Sequence, residues 1–146
     1  RCYDGLMYPV STEYRLANEQ DLQQLYDNFD IPCKLGWPTV VAVRGNKLLG
    51  FLSTQERDEA VVAGPLMVNC RKGKSKAFVC LRLVEAYDNL MRAMGIRKYL
   101  FHVAKDETPA WVRQVDEAGI YAIINETDAH LWYERDLSFQ KGKGGI

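Results

Sequence analysis

Apolar and polar positions change period several times along this chain, and each change marks an element. Glu13 to Ala17 reads as a short strand. Leu22, Leu25, Tyr26 and Phe29 then recur at helical spacing, which predicts a helix over Glu19–Phe29 with one buried face. Asn18 stands where an N-cap belongs, with Asp21 at the third helical position. Asp30 to Pro38 holds two prolines and reads as a loop. The apolar run Thr39–Val43 predicts a strand, Arg44-Gly45-Asn46-Lys47 a tight turn, and Leu48–Thr54 the returning strand. The polar residues Gln55 to Glu59 are expected to turn the chain into a third antiparallel strand over Ala60–Asn69. Gly64-Pro65 interrupts that strand, and proline has no N–H to give a ladder, so a bulge or splay is expected there.

The longest predicted helix covers Ser75–Met94 and ends at Gly95. Phe78, Val79, Leu81, Leu83, Val84, Tyr87, Leu90, Met91 and Met94 give it a broad apolar stripe. A strand over Arg97–Ala104 follows, then a helix from Thr108 with Pro109 in its first turn and Gly119 at its end. Tyr121–Ile124 and Ala129–Leu137 are the last strands. The predicted order is β-α-β-β-β-α-β-α-β-β. It implies an irregular segment over residues 1–12, one domain over 13–137 and a mobile Gly/Lys tail over 138–146.

Bulk composition narrows the function classes. The chain has 146 residues, 47% hydrophobic and 26% charged, enough for one domain with a hydrophobic core. Its formal net charge is zero, so no overall electrostatic drive toward nucleic acid or anionic lipid is expected. No apolar run approaches the roughly twenty residues that span a bilayer. Arg1 to Gly5 is polar and lacks an apolar h-region, so no secretory signal is expected and the expected location is the cytoplasm. Cys2, Cys33, Cys70 and Cys80 are scattered, which predicts free thiols and no metal site.

The chemistry concentrates between Asn69 and Gly95. An apolar strand runs into Cys70-Arg71-Lys72-Gly73-Lys74-Ser75-Lys76, and a long helix begins at once. Such a turn can aim backbone N–H groups at a phosphate, aided by the partial positive charge of the helix N-terminus.

This turn, set between a hairpin strand and a long helix within that element order, resembles the GNAT superfamily of acyl-CoA-dependent N-acyltransferases. The resemblance covers about Glu13 to Leu137 and is strongest from Ser75 through Leu100. It implies an α/β (α+β) fold, a mixed and mostly antiparallel sheet flanked by helices. The family's pyrophosphate signature is Q/R-x-x-G-x-G/A. Gly73 is kept, Ser75 stands for the second small residue and could cap the helix, and Cys70 departs at the first position. The resemblance then assigns acyl-CoA binding to Arg71, Lys72, Gly73, Lys74, Ser75 and Lys76, and to the backbone of Leu66, Met67 and Val68 beside the splay. Thr108 falls where the family often has an asparagine and joins the residues the resemblance assigns to the cofactor; Trp111 falls where the family has an alanine, and Val115 where it has a tyrosine acid. Valine cannot donate a proton, which leaves Tyr121 and Tyr133 as replacements or as packing residues.

The implied function is acetyl transfer from acetyl-CoA, or another acyl-CoA, to a primary amine. The alternative is a GNAT-like domain without catalysis, a binding or structural subunit of the kind that phages carry as accessory proteins. Direct attack needs a base where the amine enters. Glu56 and Glu59 lie near the right hairpin, and His102 sits on an otherwise apolar strand in phase with Leu100 and Ala104. His102 could equally be a hydrogen-bonded core residue, and His130 is expected at a strand edge facing solvent. The acceptor amine and the oligomeric state, homodimer or other assembly, stay open.

Overall fold

The computed structural model describes residues 11–69, 73–106, 112–113 and 119–138. Their elements in chain order are β1 (Thr12–Leu16), α1 (Glu19–Asn28), β2 (Val40–Arg44), β3 (Lys47–Arg57), β4 (Ala60–Val68), α2 (Gly73–Ala93), β5 (Lys98–Ala104), β6 (Tyr121–Glu126) and β7 (His130–Asp136). The expected N-terminal segment up to Val10 lies outside the described residues, as does the tail beyond Ser138. So does the helix expected from Thr108, apart from Val112 and Arg113, which are helical. No described helix is long and apolar enough to cross a membrane.

The strands form one seven-stranded sheet in the order β1-β2-β3-β4-β5-β7-β6. All neighbours are antiparallel except β4 and β5, which run parallel. A parallel pair cannot be joined by a hairpin, so the chain leaves β4, crosses one face as α2 and returns as β5. The mixed, mostly antiparallel sheet with helices on its faces is the one the resemblance implies.

Burial on both faces explains why β2 reads as an unbroken apolar run. Val40 and Ala42 pack toward α2, joining Leu52, Val79, Leu83, Tyr87, Met91, Tyr99, Phe101 and Tyr133. Val41 and Val43 pack the other way with Leu25, Leu35, Leu48 and Phe51, where Phe29 meets Phe51 edge-on at 5.5 Å. Asn18 and Asp21 close a capping box at the start of α1, as their spacing predicts. Asp21 is also ion-paired with Arg15 of β1.

Four expectations need correction. β3 continues through Gln55 and Glu56 to Arg57, so the turn into β4 is only Asp58-Glu59. Both turn residues take positive φ, 50° and 66°, the geometry that suits a two-residue hairpin. α2 begins at Gly73 rather than Ser75, so Ser75 lies inside its first turn and is not the cap. Phe78 and Tyr26, expected on buried faces, are 59% and 44% exposed. The Phe78 ring lies beside the Arg82 guanidinium, and the Tyr26 hydroxyl accepts the Leu35 amide at 2.7 Å.

The loop between α1 and β2 is tied to β3. Gln55 donates to the Lys34 carbonyl, Ser53 Oγ accepts the Gly36 amide, and Thr54 Oγ1 donates to the Pro38 carbonyl. A Cβ at Gly36 would lie 2.0 Å from the Thr54 carbonyl oxygen, so only glycine allows this approach.

A buried polar cluster ties α2 to the strands beyond the parallel pair. Tyr99 of β5 donates to Asp88 Oδ1 at 2.7 Å, and Arg135 Nε of β7 reaches Asp88 Oδ2 at 3.1 Å. Removing one partner of a buried pair leaves an uncompensated charge. Arg135→Met is therefore expected to lower the unfolding free energy by about 3–5 kcal/mol, read from urea denaturation. An unchanged urea midpoint would contradict this role for the cluster.

Candidate functional site

The site starts from a break in the sheet. On β4, Thr54 pairs with Ala63 and Leu52 with Leu66, which sets Gly64 and Pro65 opposite the single residue Ser53. Two residues against one is a β-bulge, and it bends the strand. Gly64 has φ +143°, a region open to glycine and strained for other residues. The bulge expected at Gly64-Pro65 is therefore present.

Beyond it β4 stays with β3 while β5 stays with β7 along its whole length. Between β4 and β5 the register holds for one pair only, Val62 with Leu100. Two parallel strands that share one pair and then follow different neighbours must diverge. The result is an open cleft of about 1640 Å³. Leu66, Met67 and Val68 line one wall and Phe101, His102 and Val103 the other, with Lys76, Ala77 and Cys80 of α2 at its floor.

Ladder alternation says which backbone groups face the gap. The Asn69 amide donates to the Leu49 carbonyl at 2.7 Å, so Asn69 faces β3, and Met67, two residues back, faces it too. Leu66 and Val68 then direct their N–H and C=O groups away from β3, toward the gap. The expected backbone trio is thus split, with Met67 held in the ladder.

The first turn of α2 borders the same cleft through Lys76 and Ala77 and contains no acidic residue. The amides of a first helical turn lack intrahelical acceptors, so this end favours an anion. Gly73 and Lys74 open that turn, and Ser75 and Lys76 follow with exposed side chains. Arg71 and Lys72 lie outside the described residues, as do Cys70, Thr108, Trp111 and Val115.

The candidate bases separate clearly. Glu56 lies on β3 opposite Val61 and Glu59 lies in the following turn; both are exposed, and neither lines the cleft. His102 does line it, on the face of β5 opposite the core residues Phe101 and Tyr133. It is not a core histidine. Its ring meets His130 at 4.8 Å and Trp132 at 4.7 Å, and Arg57 lies over the Trp132 ring at 5.9 Å. Partial burial, then the charges of His130 and Arg57, push the His102 imidazole below its ordinary pKa. His130 is half-buried against His102 rather than facing solvent alone.

The phenols are sorted by their partners. Tyr99 lines the cleft, but its hydroxyl is committed to Asp88 and burial drives it well above its ordinary pKa. Tyr87 shares a 2.7 Å hydrogen bond with Thr54 and is pushed up by burial to about 12. Tyr133 stacks on Phe101 at 5.0 Å and is absent from the lining, whereas Tyr121 is part of it. Arg57, Trp132 and Tyr99 were not singled out in the sequence. Their local patterns are ordinary, and only the pairing of β5 with β7 brings Trp132 beside His102.

No protein-family model matches the chain, and no curated protein matches it. Solved structures do match. The ribosomal-protein-S18-alanine N-acetyltransferase from Escherichia coli aligns over 91% of this chain and 98% of its own, with 12% identity and a TM-score of 0.66. Ard1 from Thermoplasma volcanium aligns over 87% and 98%, with 15% identity and a TM-score of 0.64. The PaiA N-acetyltransferase from Thermoplasma acidophilum, solved in complex with coenzyme A, aligns over 80% and 70%, with 13% identity and a TM-score of 0.54. At these identities the likeness is one of fold, and the chain has the GNAT fold.

Gly64→Ala tests the bulge. It is expected to cost about 1–3 kcal/mol of stability, read by thermal melting, because alanine is strained at this φ. An unchanged melting temperature would contradict a strained bulge.

Proposed function

We propose that the protein transfers an acyl group, most simply acetyl, from an acyl-CoA to a primary amine. One observation carries this reading: β4 and β5 part after a single pair and leave the Leu66 and Val68 backbone facing a cleft that ends at the first turn of α2. The described residues fit such a group. The cleft exceeds the roughly 300–1,000 Å³ of ordinary small-molecule pockets, as a long thioester arm requires. Its wall offers an unpaired strand edge to an amide-bearing arm, and its far end offers a helix N-terminus to a diphosphate.

In this reading the Leu66 or Val68 N–H holds the thioester carbonyl and stabilises its oxygen as it gains charge. The amine comes from the face that carries His102. Its nitrogen bonds to the carbonyl carbon, the carbon–sulfur bond breaks, and the surplus proton goes to the His102 imidazole. The departing thiolate takes a proton from Tyr121, the phenol of the lining whose neighbours are the rings of Phe101 and Tyr133. A lowered pKa suits the role of His102, since the ring stays neutral and able to accept a proton at neutral pH.

Three results are expected. Acetyl-CoA should bind in calorimetry, and Gly73→Glu, which sets a carboxylate in the first turn of α2, should abolish the heat. Should no heat appear at millimolar acetyl-CoA or CoA, the enzyme reading fails; binding without thiol release against an amine panel would favour a non-catalytic domain. His102→Gln and Tyr121→Phe should each lower turnover by about 10²-fold while the fold persists. The acid limb of the pH profile of kcat/KM should fall below the ordinary histidine value of about 6.5, because His102 must be protonated before activity is lost. A limb above pH 7, or one that survives in His102→Gln, would remove His102 from the base role.

A further inference from the structure

Beside the proposed base lies a cation that the acyl-transfer step does not use. Arg57 stands at the end of β3, yet its guanidinium crosses the open face of the sheet to lie over the Trp132 ring at 5.9 Å, and it lines the cleft. The His102 ring packs against the same indole at 4.7 Å. Two other cations of these strands are paired: Lys98 with Glu134 at 3.9 Å, and Lys105 with Glu126. Arg57 forms no ion pair among the described residues. A guanidinium with no carboxylate partner among the described residues therefore lies over an aromatic ring beside His102, the residue that would take the amine's proton.

A guanidinium lying over an aromatic ring can still present its N–H fork to a carboxylate. We infer that the acceptor is an amino-carboxylate, whose carboxylate pairs with Arg57 while its amine lies at His102. This deepens the proposed acyl transfer and rests on it. Both groups lie against the same indole, at 5.9 Å and 4.7 Å, so one short acceptor could meet the two at once. One guanidinium matches one negative charge better than the double charge of a phosphate. Asp30 and Asp106 elsewhere in the lining supply the opposite sign, which suits a zwitterion rather than a plain anion.

The test follows thiol release from acetyl-CoA by the full chain with two acceptors of equal length, 4-aminobutanoate and 4-aminobutanamide. The carboxylate should have a KM about tenfold lower, the scale of one charge-assisted hydrogen bond. Arg57→Gln should bring the ratio of the two KM values to about one, and Arg57→Lys, which keeps the charge without the fork, should restore part of it. As a readout independent of turnover, 4-aminobutanoate should shift the His102 imidazole resonance in the unaltered protein and fail to do so in Arg57→Gln. Equal KM values in the unaltered protein, or equal losses for both acceptors in Arg57→Gln, would overturn the inference while acyl transfer stands. A lower KM for 3-aminopropylphosphonate than for 4-aminobutanoate would overturn the carboxylate assignment. No acetyl-CoA heat and no thiol release with any amine would remove the acyl-transfer reading, and this inference with it.

Discussion

The site depends on a parallel pair of strands that is allowed to pair only once. Val62 and Leu100 hold β4 to β5; beyond them β4 follows β3 and β5 follows β7. Gly64-Pro65 enforces the separation, through an extra residue that bends β4 and a proline that cannot donate. A gap in a sheet would ordinarily be costly, since each unpaired backbone group left dry loses a hydrogen bond. Here the edge opens into a cleft where water or a ligand can satisfy it.

Keeping the gap open requires that both halves of the sheet be held independently. The half from β1 to β4 is packed on both faces, and its loop before β2 is sewn to β3 by side-chain hydrogen bonds. The half from β5 to β7 has its own stacked aromatics, Phe101, Tyr121 and Tyr133. α2 spans the two, joined to β3 by Tyr87 and Thr54 and to β5 and β7 by the Asp88 cluster. The arrangement sets α2 beneath the cleft, while His102 of β5 and Trp132 of β7 lie together on the opposite face of the sheet.

Much of this was legible in the residues. The Asn18–Asp21 cap, the Gly45-Asn46 hairpin, the apolar run of β2 and the Gly64-Pro65 interruption all act through local chemistry, and local chemistry can be read in order along a chain. The end of β3 was not legible, because Gln55, Glu56 and Arg57 are polar residues beyond the end of β2, paired only with β4. The turn after it hid for a related reason: Asp58 and Glu59 adopt positive φ without the glycine or asparagine that usually signals it. The start of α2 at Gly73 was obscured because glycine is a poor helix former. Glu56 and Glu59 drew attention as carboxylates near the hairpin, yet both are exposed and neither lines the cleft. The group around His102 could not be foreseen, since β7 inserts between β5 and β6 and its partners are distant in sequence.

The central claim is that the Leu66 and Val68 amides face an acyl-CoA arm across the parted strands. A backbone amide NMR titration with acetyl-CoA tests it directly. The account predicts that the Leu66 and Val68 resonances shift while those of Met67 and Asn69, bonded to β3, move far less. Uniform shifts along β4, or shifts confined to residues away from the cleft, would contradict it.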